Sequence, residues 1–212
     1  MPRSVAVVFG GLGMSRRALA RHAAVYAGRA TVVVPLTLTC LAAGARYTPY
    51  RTLHDALSAS GGAPLHVHSL SGSCHYIYRF VSLYPEHRAR VVSQLYDSPC
   101  HAEGAVAWMY ETHGVPRALG RLVSRTVLAD TWETATRWNE AAVFARDIPT
   151  GLVTSTRDAI SPTAHIDTMM SNWGCTNVRR MQTDSAHVRS LCDHPERYAR
   201  FCRDVADAAE AH

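Results

Sequence analysis

The segment Leu65–Tyr78, LHVHSLSGSCHYIY, decides the fold class, because an apolar run stops at a cluster of small residues and a helical pattern follows at once. A strand that feeds a helix through a tight turn is the setting of a nucleophile elbow, where a serine projects its hydroxyl above a sheet and its neighbours must be small. Ser69 is the expected nucleophile, with Ser71 and Gly72 as the small residues behind it. Ser71, beside Gly72 and two residues from both Ser69 and Ser73, is the alternative nucleophile. Around Ser69 the G-x-S-x-G pattern is incomplete, since Val67 and Ser71 hold its glycine positions. The helix behind the turn offers N–H groups and the positive end of its dipole to a developing oxyanion.

Outward from this segment, short β-branched runs alternate with helical stretches, which predicts a mostly parallel sheet with helices on both faces. Strands are expected at Ser4–Phe9, Ala30–Pro35, Ala63–His68, Arg90–Tyr96, Pro149–Thr154 and Asn177–Gln182. Helices are expected at Ser15–Tyr26, Arg51–Ser60, Ser73–Tyr84, Pro162–Trp173 and Pro195–Ala209. The 212 residues suit one domain of α/β-hydrolase-like class. Residues 102–146, which carry Trp108, Tyr110, Trp132, Trp138 and Phe144, read as a helical cap or insertion, or as further sheet-covering helices.

In such a fold the nucleophile, acid and base follow one another in that chain order, and each stands in a loop beyond a strand. Asp158, in STRDAISP after the fifth strand, is the expected acid, and His187, in DSAHV after the sixth, the expected base. His187 would take the serine proton, and Asp158 would fix its tautomer and stabilise the imidazolium. Asp97, in YDSP after the fourth strand, is the alternative acid; in its other reading it braces the loop beside the site. The oxyanion hole is expected from the N–H of Leu70 and from Gly11 or Leu12 in the GGLG loop after the first strand. That loop is not a dinucleotide fingerprint, because Arg16 stands where its third glycine belongs.

The formal charge of +5 comes entirely from arginine, for the chain has no lysine, and its basic residues are dispersed, which argues against nucleic acid as a partner. The six cysteines form no C-x-x-C pair and read as reduced thiols. Neither a signal peptide nor an apolar stretch of membrane-spanning length stands out, so a soluble intracellular protein is expected. His66, His68, Cys74 and His75 lack a zinc-type spacing, and no metal or other cofactor is expected.

Four segments resemble the transmembrane protein 53 / PaxU-like (DUF829) family of α/β-hydrolase-fold proteins: VVFGGLG with ALARHAAVYAGR, HVHSLSGS, LYDSPC, and TSTRDAI followed by DSAHVRSLCDHPERY. The resemblance implies a nucleophile at Ser69, an acid at Asp158 and a base at His187. It also brings a vertebrate relative associated with the nuclear envelope, and hence peripheral membrane association as an expectation. The chain departs from the family pattern at Ser71 and Ser73, where glycine and an apolar residue are more usual. The expected chemistry is hydrolysis of a small-molecule carboxylic ester or thioester through an acyl-serine. The competing expectation is a catalytically silent member of the fold that binds a partner or a membrane surface.

Overall fold

The computed structural model describes residues 3–36, 48–100, 102–126 and 146–211. Six strands form one sheet: β1 (Val5–Leu12), β2 (Ala30–Leu36), β3 (Leu65–Leu70), β4 (Val91–Asp97), β5 (Thr150–Ser155) and β6 (Val178–Thr183). Their order is β2-β1-β3-β4-β5-β6 and every neighbouring pair is parallel. Because all strands point one way, the loops after β1, β3, β4, β5 and β6 emerge at a single edge. The chain turns to one side of β1 to make β2 and to the other to make β3. The crevice outside the ends of β1 and β3 is therefore the switch point at which open α/β sheets take their ligands.

The helices are α1 (Arg16–Ala24), α2 (Thr48–Ala59), α3 (Cys74–Leu83), α4 (Ala102–His113), α5 (Arg117–Thr126), α6 (Thr163–Trp173), α7 (Ser190–Asp193) and α8 (Pro195–Glu210). Alternation along β1 sorts them into two layers. Val5, Val7 and Phe9 join a core with Leu53 and Leu57 of α2, Ile77 and Phe80 of α3, and Ile166 and Trp173 of α6. Ala6 and Val8 face the other way, into a core with Leu19 of α1 and Tyr198, Cys202 and Ala206 of α8. Both faces of the sheet are thus covered, as parallel sheets require.

Most elements lie within a few residues of the sequence expectation, and one difference matters for function. β3 runs through Ser69 to Leu70, both fully buried, and the turn begins at Ser71, where a short 3₁₀ segment (Ser71–Ser73) leads into α3. Ser69 pairs with Phe9 on one side and Tyr96 on the other, as an interior strand residue.

Between β4 and β5 stand α4 and α5. Gly120 of α5 packs on Val106 of α4, and Gly104 lies so close to the Ile160 carbonyl that a Cβ would sit 2.7 Å from it. Leu119 and Leu122 on α5 are half exposed. Trp132, Trp138 and Phe144, the remaining aromatics of the expected cap, lie outside the described residues. Cys74, Cys100, Cys175, Cys192 and Cys202 are free thiols. No helix among the described residues is long and apolar enough to cross a membrane.

Leu152, at the centre of β5, is completely buried. Leu152→Ala is expected to cost about 2–5 kcal/mol through lost burial and the cavity left behind. Urea unfolding checks this, and a cost below about 1 kcal/mol would mean that the face of the sheet under α2, α3 and α6 is not packed.

Candidate active site

Ser73 sets the end of β3. Its hydroxyl donates to the Phe9 carbonyl (3.0 Å) and accepts from the Leu70 N–H (2.9 Å). With its proton committed, it also accepts from the Ser69 hydroxyl (3.1 Å). This placement differs from what two sequence expectations describe. Ser69, the expected nucleophile, is shut inside the sheet with its hydroxyl turned to Ser73. The Leu70 N–H, the expected oxyanion donor, is occupied by the same side chain.

One residue further the backbone turns left-handed, with φ 58° at Ser71. A residue other than glycine in this region costs about 1–3 kcal/mol and persists only where its surroundings hold it. The turn lifts Ser71 above the sheet edge. Around it the sequence reads Ser69-Leu70-Ser71-Gly72-Ser73, so that small serines occupy both glycine positions of the elbow pattern. Gly11, at the end of β1, lies directly against it: a Cβ there would be 3.3 Å from the Ser71 Cβ.

Ser71, expected as the alternative nucleophile, is thus the serine that meets His187. The Ser71 hydroxyl stands 2.8 Å from His187 Nε2, and His187 Nδ1 stands 2.8 Å from Asp158 Oδ2. This spacing matches a proton path from Ser71 to Nε2, with Nδ1–H donating to the carboxylate. The Asp158 side chain is fully buried and the His187 ring only slightly exposed. The second Asp158 oxygen accepts from the N–H groups of Ile160 (2.9 Å) and Ser161 (2.8 Å), which orients the carboxylate. Burial works to raise the Asp158 carboxyl, but the His187 bond and charge together with these two N–H groups outweigh it, and the group is held below the ordinary range.

The loops that carry Asp158 and His187 are tied to one another. Ser155 donates to the Ser185 carbonyl, and the Thr156 N–H donates to the Thr183 carbonyl at 3.0 Å. Sequence reasoning missed Cys100, whose sulfur lies 3.7 Å from the Ser71 hydroxyl. Burial pushes this thiol up to about 11, so it is neutral at pH 7. A cavity of about 170 Å³ lies beside the acid loop, lined by Val106 and Ala107 of α4, Arg117 and Arg121 of α5, and Ala159, Ile160, Pro162 and His165.

Asp97, the alternative acid, is fully buried and does not bond His187. It accepts from the Tyr198 hydroxyl (2.7 Å) and from the Ser98 hydroxyl (3.1 Å). The Tyr198 hydroxyl in turn lies 3.0 Å from His68 Nε2, and His68 Nδ1 lies 3.1 Å from the Tyr26 hydroxyl. His66 and His75 are engaged too, His66 with Ser93 and Glu210, and His75 with the Cys100 carbonyl. Among the described residues, His54, Glu86 and His87 bring potential ligand atoms within 4.8 Å of one another, at the opposite edge of the sheet, before β4. Arg90 Nη1 stands 3.1 Å from His87 Nδ1. Because arginine only donates, the neutral His87 ring carries its proton on Nε2, the atom facing the group, and has no lone pair there for an ion.

No family model matches the chain, and no curated protein does. The resemblance to the transmembrane protein 53 / PaxU-like family therefore rests on the quoted segments alone. Solved structures do match over nearly the whole chain. The Pyrococcus furiosus esterase Pf2001 is 13% identical, with 98% of this chain and 82% of that one covered at a TM-score of 0.66. MGS-MChE2, an alpha/beta hydrolase enzyme from the metagenome of lagoon sediments at Mar Chica, Morocco, is 14% identical over 98% and 92% of the two chains, with a TM-score of 0.63. A membrane phospholipase A described as a bacterial virulence factor is 17% identical over 99% and 80%, also at 0.63. The chain has an α/β-hydrolase-like fold.

Burial pushes the Asp97 carboxyl up to about 6 from 3.8, against the pull of its bonds from Tyr198 and Ser98 and of the His187 charge. A carboxyl raised on folding holds its proton more tightly in the folded chain. Its contribution favours the fold below about pH 4 and is lost as pH rises toward 6. Asp97→Asn removes this dependence. The stability of wild type relative to the variant should fall on the order of 2–3 kcal/mol between pH 4 and 7. Urea unfolding at several pH values checks the difference, and parallel curves would contradict the buried placement of Asp97.

Proposed function

We propose that the protein is a serine hydrolase of carboxylic esters or thioesters in which Ser71, His187 and Asp158 are nucleophile, base and acid. The observation that carries this reading is the unbroken chain of 2.8 Å contacts from Ser71 through His187 to Asp158 at the carboxyl edge of the sheet. The esterases and the phospholipase among the structural relatives support an ester substrate. Ser71 replaces Ser69 in the role expected from sequence.

In the proposed cycle, His187 Nε2 takes the Ser71 proton as the hydroxyl oxygen attacks the acyl carbon. The imidazolium then delivers that proton to the departing alcohol or thiol. Asp158 holds the proton on Nδ1 throughout and stabilises the imidazolium. Water repeats the sequence on the acyl-serine and releases the carboxylic acid. The oxyanion hole shifts with the nucleophile: the N–H after it belongs to Gly72, and the second donor comes from Gly11 or Leu12, whose strand end lies against Ser71. The cavity beside Ile160, walled by apolar residues and two arginines, is the proposed pocket for part of the substrate. In this reading α4 and α5 form one wall of it.

Hydrolysis of p-nitrophenyl butyrate by purified variants tests the assignment. Ser71→Ala is expected to lower kcat at least about 10³-fold, with similar losses in His187→Ala and Asp158→Asn, while Ser69→Ala keeps activity within about tenfold of wild type. Loss on Ser69→Ala with activity retained in Ser71→Ala would move the nucleophile back. A folded wild type inert toward nitrophenyl esters and thioesters and toward a fluorophosphonate would favour the silent, binding member of the fold.

A further inference from the structure

Among the described residues, left-handed backbone outside glycine occurs at Ser71, Ser98 and Val188, with φ of 58°, 51° and 53°. All three lie at one rim of the sheet. Ser71 is the proposed nucleophile and Val188 follows the proposed base. Ser98 has no place in the proton path, yet it holds a conformation that glycine would adopt without strain. A serine kept in such a place points to work done by its hydroxyl.

Every hydrogen-bonding group of Ser98 is engaged, and the partners lie on different elements. Its N–H donates to the Val153 carbonyl of β5 (3.0 Å) and its carbonyl accepts from the Ser161 hydroxyl of the acid loop (3.0 Å). Its own hydroxyl donates to Asp97 (3.1 Å) and accepts from the Val188 N–H in the base loop (3.4 Å). The Ser161 N–H meets the Asp158 carboxylate at 2.8 Å, and that carboxylate meets His187, the residue before Val188. These contacts close a ring that runs from Ser98 through Ser161, Asp158, His187 and Val188 back to Ser98.

We propose that Ser98 is a positioning residue, a clamp that ties the acid loop to the base loop and so holds the His187 ring in line with the Ser71 hydroxyl. The clamp rests on the triad reading above. Asp97 accepts the hydrogen bond of the Ser98 hydroxyl and so turns that hydroxyl's lone pair toward Val188, and Tyr198 from α8 holds Asp97 through its other oxygen. The fully buried Asp97 thus acts through Ser98, and it touches neither substrate nor imidazole. A clamp of this kind sets the alignment of the reacting atoms and leaves substrate binding alone, so its loss falls on kcat.

The test compares wild type, Ser98→Gly, Ser98→Ala and Tyr198→Phe, with rates expressed per active site titrated by a fluorophosphonate. Ser98→Gly is the informative variant, because glycine accepts the left-handed backbone, so that the hydroxymethyl group is lost without added strain. Its kcat per titrated site should fall about tenfold or more with KM within about twofold of wild type, and the Val188 amide should exchange with solvent about tenfold faster. A purely structural role would reduce the number of titrated sites and leave the rate of each unchanged. Unchanged kcat per site in Ser98→Gly would overturn the clamp. Absence of labelling in wild type would instead sink the hydrolase reading, and the clamp would then be judged by Val188 exchange alone: acceleration in Ser98→Gly upholds it and an unchanged rate overturns it.

Discussion

The bond between the Ser71 hydroxyl and His187 Nε2 joins residues 116 positions apart in the chain, and the rest of the site is arranged so that it can form. It requires β3 and β6 to end at the same edge, which a sheet with every strand parallel guarantees. It also requires β3 to end at the right residue. Ser73 meets that second need by taking up the Leu70 N–H and the Ser69 hydroxyl while bonding β1, so that the chain leaves the sheet at Ser71.

The alternation of β-branched runs with helical stretches was enough to read the sheet and its helices, because burial on both faces leaves near-continuous apolar strands such as VAVVF. Asp158 and His187 are legible as partners from chain order and loop context, and their side chains do meet. The serine that meets His187 lies two residues beyond the one expected, for a physical reason. A serine at the end of an apolar run reads as the start of a loop, yet Ser69 is an interior strand residue, since its hydroxyl finds a partner in Ser73. Nothing local in LHVHSLSGS distinguishes a serine satisfied inside the sheet from one lifted above it. The contacts that decide it run to Phe9 and His187, in strand and loop far away.

Asp97 shows the same limit from the other side. Its position after β4 made it an alternative acid, and the loop-bracing reading is the one its contacts favour. Only the fold brings Tyr198, 101 residues later, onto its carboxylate, in a layer that also buries His22 and His68 as neutral rings. Buried polar groups in such a layer stay affordable only while each finds a partner, which makes the arrangement specific. The polar residues that resist a simple core reading therefore cluster beneath the proposed active site, where they fix the loops above them.

The central claim is that Ser71 carries the acyl group. Peptide mapping by mass spectrometry after reaction of the wild type with a fluorophosphonate addresses it directly. The account predicts a single phosphonyl adduct on Ser71, formed only while His187 is intact. An adduct on Ser69, or one on Ser71 that forms equally fast in His187→Ala, would contradict it.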